Sequence, residues 1–122
     1  MSLHTAAHSL GAVASVGIMG IGTRFLVDPR GAQVGFGIAP GNVRGLTAIK
    51  GVRDITLGIV LLTVWTVAGP KTLGWAMVAA SVTPVGDAFI VASNGGTLAT
   101  ALSIHGVTAA LLAAAGAVLV LA

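Results

Sequence analysis

Four stretches of about 20 apolar residues, each long enough at 1.5 Å per residue to cross roughly 30 Å of hydrocarbon, dominate the chain. They run over residues 5–26, 48–67, 72–93 and 98–122. Two are parted by Ala68-Gly69-Pro70-Lys71 and two by Ser93-Asn94-Gly95-Gly96-Thr97, with Thr97 placed to cap the helix that follows. Connections this short make neighbouring helices antiparallel. Only 7% of the 122 residues are charged, against about a quarter in soluble domains. A mean hydropathy of +1.03 agrees: the outer surface must meet lipid, and the chain reads as an all-α integral membrane bundle of four antiparallel transmembrane helices forming one domain.

Composition excludes several functions. Six Lys and Arg against three Asp leave a net charge of +3, with no basic stripe interleaved with aromatics, so nucleic acid is not an expected partner. Without cysteine there is no disulfide, thiolate metal site or thiol chemistry. The first apolar stretch lacks the Lys or Arg of a secretory n-region and is expected to be a permanent helix. Abundant small residues, among them Gly17, Gly20, Gly22 and an alanine-rich last stretch, suit close helix packing in lipid and make a homo-oligomer feasible.

Residues 27–47 form a long first connection. With Asp28, Pro29, Arg30, Pro40, Arg44 and five glycines it is too broken to span a membrane. Apolar Val34, Phe36 and Ile38 predict a lid or re-entrant segment resting on the bundle. Arg24, Arg30, Arg44 and Lys50 cluster on this side and Lys71 on the other, so the positive-inside rule places the long loop in the cytoplasm and both termini outside. In a bacterium the membrane would be the inner one.

Alternating the helix directions brings the ionisable residues to one depth. Arg24 ends the first helix; Lys50, Arg53 and Asp54 open the second; Asp87 lies six residues before Ser93 and His105 seven past Leu98. An ionisable group in hydrocarbon costs about 2.5 kcal/mol or more, so these groups should turn inward and pair. Lys50 and Asp54, four apart, share a helix face. Pro84 and Gly86 beside Asp87 predict a kinked helix lining a cavity. Three readings stay open: a structural ion network, a catalytic pocket, and a proton or ion path, the last weakened by the lack of charge in the other half of the membrane.

The catalytic reading has a definite chemistry. Asp54 and Asp87 would act as an acid–base pair, one carboxyl protonated and one ionised. Arg53, Arg24 and Lys50 would set their charge and hold an oxygen-bearing group, with His105 assisting. Such a site suits epoxide opening, by hydrolysis or cyclisation, or double-bond isomerisation of a lipophilic small molecule, without a cofactor. An unrelated soluble fold uses an Asp, Arg, Asp set for epoxide hydrolysis. Asp54, Asp87 and His105 are facial-triad ligand types, but no close ligand pair supports a metal there. His4 and His8 have metal-binding spacing, yet lie far from the other charges, and an interfacial pair is expected.

Five segments carry a family resemblance: Gly22-Thr23-Arg24-Phe25-Leu26 with Pro29, Phe36-Gly37-Ile38, Lys50-Gly51-Val52-Arg53-Asp54 with Gly58, Pro84-Val85-Gly86-Asp87, and His105-Gly106-Val107-Thr108-Ala109. In these the chain resembles short bacterial and fungal integral membrane proteins grouped as a domain of unknown function. The resemblance implies a four-helix membrane fold and no settled activity. Some relatives accompany natural-product pathways, an association that favours an enzyme.

Overall fold

The computed structural model describes residues 2–122, which are mostly helical, with no strand among them. The elements are α1 (Leu3–Val27), α2 (Pro29–Phe36), α3 (Val43–Ala80), α4 (Val82–Ser93), α5 (Leu98–Thr100), a π-helical segment (Ala101–Gly106) and α6 (Val107–Leu121). Three helical stretches are long and apolar enough to cross a membrane: Leu3–Val27, Val43–Ser93 and Leu98–Leu121. The expected second and third helices thus follow on from one another, with the non-helical Gly69 between them (φ 84°, ψ 178°). That backbone region is essentially restricted to glycine, and Pro70 behind it has the fixed φ of a first helical residue. The chain forms two compact units, the second being Val52–Ala122.

In the first unit α1 begins at Ser2, whose hydroxyl accepts the Thr5 N–H at 3.0 Å, and ends with Arg24 in its last turn, where a cation suits the carbonyl end of the helix. The connection expected to be a loop contains the eight-residue α2. Local capping explains it. Asp28 accepts the Gly31 N–H at 3.2 Å, Pro29 stands at the first helical position, and Gly37 closes the helix in the left-handed conformation (φ 102°). The Gly37 and Ile38 N–H groups return to the Val34 and Gln33 carbonyls. Phe25 and Phe36 meet edge to face, ring centres 6.1 Å apart, fastening α2 to α1. Buried Gln33 donates to the Ala39 carbonyl. Gln33→Ala, which leaves that carbonyl unpaired, is expected to lower stability by about 1–2 kcal/mol, read as a lower melting temperature and faster amide exchange at residues 38–42.

α3 begins at Val43, earlier than the apolar pattern predicts, because Asn42 accepts the Gly45 N–H at 2.8 Å. Asp54 therefore lies about 16 Å along its helix, rather than the roughly 9 Å counted from Ala48. In the second unit, Ser81 interrupts the rod after Ala80, and its hydroxyl donates to the Val78 carbonyl at 2.6 Å. Buried Pro84 offers no N–H to the Ala80 carbonyl. After the turn at residues 94–97, Thr97 caps α5 by accepting the Thr100 N–H at 3.0 Å.

The buried residues of this unit are Gly74, Pro84, Ala101, Ala109 and Gly116. Large apolar side chains point outward, among them Leu62, Trp65, Trp75, Phe89 and Leu111. Among the described residues no large side chain is fully buried. Such an inside-out arrangement suits lipid, where small residues let backbones approach and hydrophobicity does not drive association. Its tightest point joins residues 70–80 to α6: a Cβ on Gly74 would stand 2.6 Å from the Gly116 carbonyl oxygen, and one on Gly116 would stand 2.7 Å from that of Gly74.

Candidate functional site

Arg24 and Lys50 belong to the first unit; Arg53, Asp54, Asp87 and His105 belong to the second. Arg24 is committed locally. Its Nε stands 4.0 Å from Asp28 Oδ2, and its guanidinium lies over Gly35 of α2, where a Cβ would approach Nη1 to 3.3 Å. Hydropathy alone reads Asp28 as part of a loop and leaves it out of the polar layer. The signal was present, in the four-residue spacing from Arg24 and in the Asp-Pro pair that opens a helix. Asp28 thus caps α2 and faces Arg24 at once.

Lys50, Arg53 and Asp54 are exposed along α3. Asp87 on α4 and His105 in the π-helical segment are both half-buried, and α4 packs directly against that segment and against α6. The turn at 94–97 and the close approach of Gly74 to Gly116 fix the register of these two stretches. Counted from the ends of the turn, Asp87 is about 9 Å and His105 about 10 Å along its helix. Asp54, Asp87 and His105 do not assemble as a metal triad: no three His, Asp or Glu side chains among the described residues come together in that way.

The π-helical turn bears on His105 directly. The Val107 N–H reaches the Leu102 carbonyl, five residues back, as well as that of Ile104. The Thr108 hydroxyl donates to Ile104 O at 2.6 Å. The turn so formed is wider than an α-turn by about one residue, so His105 points away from where an unbroken α-helix would carry it. Composition gives no sign of this turn. Single π-turns inside α-helices are rare and concentrate at functional sites.

Apolar rods, outward-facing large side chains and a seam of glycine and alanine define an all-helical integral membrane protein. The chain belongs to the family described as a domain of unknown function (DUF4267), whose model matches residues 15–119. That span takes in every residue from Arg24 to His105 named above and leaves His4 and His8 outside. Comparison with curated proteins and with solved structures finds no match to the chain.

Proposed function

We propose that the chain crosses the membrane four times, neighbouring helices antiparallel, and acts as an acid–base enzyme on a lipophilic small molecule, opening an epoxide or isomerising a double bond. Two features support the crossings. The stretch Val43–Ser93 has 51 residues, enough at 1.5 Å per residue for two passes of roughly 30 Å. Its break at Gly69 and Pro70 is flanked by exposed Trp65 and Trp75 with Lys71 beside it, the residue types that settle at a membrane–water interface.

The observation that carries the enzyme reading is the π-helical turn bearing His105, packed on the helix that bears Asp87. It is a costly local geometry spent at an ionisable residue. Asp87 and His105 supply a base and a proton donor from facing elements. Asp54 is the second carboxylate, and Arg53 holds the substrate oxygen, Arg24 being engaged by Asp28. In hydrolysis the base removes a proton from water, the water oxygen attacks an epoxide carbon, that C–O bond breaks, and the acid protonates the departing oxygen to give a diol.

The test uses detergent-purified protein and a panel of lipophilic epoxides and alkenes. Turnover by Asp87→Asn and His105→Gln is expected to fall by about 10²–10⁴-fold with melting temperatures within a few degrees of wild type. A wild-type protein without turnover, combined with strong destabilisation in Asp54→Asn and Asp87→Asn, would instead establish a structural charge network in a transporter or assembly subunit.

A further inference from the structure

We propose that His4 and His8 form a two-imidazole site for a divalent transition-metal ion of the copper, nickel and zinc group on the first two turns of α1. The spacing sets the rings one above the other on a single helix face. The structure brings them together, ring centres 4.5 Å apart and tilted by 50°. Metal–imidazole bonds of about 2.0–2.1 Å place two nitrogens on one ion roughly 3 Å apart, a span that small rotations of such rings reach. A His pair four apart on a helix is the arrangement used by known helical zinc sites.

The surroundings favour a metal over an ordinary polar contact. A shallow concavity is lined by both rings with Ala7, Gly11, Ala12 and Ser15, and no atom lies within 4 Å of where a Cβ on Gly11 would stand. Small neighbours leave room for water to complete the coordination. The Ser2 hydroxyl bonds to that of Thr5 and the Ser15 hydroxyl donates to the Gly11 carbonyl, each at 2.8 Å. Apart from their contact with each other, neither histidine has a polar or ring partner among the described residues. The donor set is imidazole with no carboxylate before Asp28, which selects borderline cations and rejects Mg²⁺ and Ca²⁺.

Titrating the full chain in detergent with Cu²⁺, followed by visible absorption and electron paramagnetic resonance, is expected to show one ion per chain with nitrogen hyperfine coupling. Zn²⁺ and Ni²⁺ should displace it only in excess, and Mg²⁺ not at all. His4→Ala and His8→Ala should each weaken binding by more than the roughly tenfold cost of losing even an outer-shell partner. Both positions are exposed, and unchanged circular dichroism would show the fold intact. Binding lost in His4→Ala but untouched in His8→Ala would reveal chelation by the chain's amino end and overturn the site, as would no binding, or binding that survives the double substitution.

Discussion

Replacing Gly116 with valine is expected to unseat α6 from residues 70–80 and lower the melting temperature markedly. The new Cβ would stand 2.7 Å from the Gly74 carbonyl oxygen and 3.1 Å from Met77 Cβ. The first obstacle is backbone, which no rotamer change removes. Overpacking a well-filled interior costs about 1–3 kcal/mol, and valine here belongs at or above the top of that range. Gly74→Val should behave alike, and the double variant should lose less than the sum, because both changes break one contact. Gly20, whose added Cβ would meet nothing within 4 Å, is the control: Gly20→Ala should be neutral, or stabilising by up to about 1 kcal/mol through helix propensity. Wild-type melting of Gly116→Val would show that the seam does not hold the helices together.

The second large effect is expected at Gly69 and Pro70. Valine at Gly69 is strained by about 1–3 kcal/mol at φ 84°. Changing both residues to alanine removes the penalties of roughly 1 kcal/mol for glycine and 3 kcal/mol for proline against a continuous helix. The double variant should straighten the rod. Because the chain has no native cysteine, single cysteines at Thr47, Lys71 and Ser93 can be labelled cleanly with an impermeant maleimide in sealed vesicles. With four crossings, 47 and 93 label from one side and 71 from the other. In Gly69→Ala with Pro70→Ala, 93 should no longer label with 47. Identical labelling in both proteins would mean that the break does not set the topology.

Features written in short-range chemistry were legible in the sequence. Glycine and proline marked the break at 69–70, and Thr97 announced its own cap. Counting residues from the turn at 94–97 put Asp87 and His105 at one level, and the structure packs their elements together. The hydropathy pattern hid what was not itself apolar. Hydropathy does not register the Asp28, Pro29 and Gly37 signals of α2, nor Asn42, which starts α3 ahead of its apolar run. Arg24 faces Asp28, four residues away, where a common depth points it toward distant carboxylates. The π-helical turn had no local signature, since it arises where helices pack rather than from the preference of any residue within it.

That turn also settles a question of phase. Ala101 and Ala109 are eight residues apart, Ala109 and Gly116 seven, and all three are buried. In an unbroken α-helix eight residues advance the azimuth by about 80° past whole turns, whereas seven fall short by only about 20°. By absorbing one residue, the wide turn makes the first interval behave like the second, and the three small residues fall into one line. One extra residue therefore sets two alignments at once, the aim of an imidazole and the continuity of the groove into which the neighbouring helix fits. Any insertion or deletion between Ala101 and Gly106 would throw both out of step together.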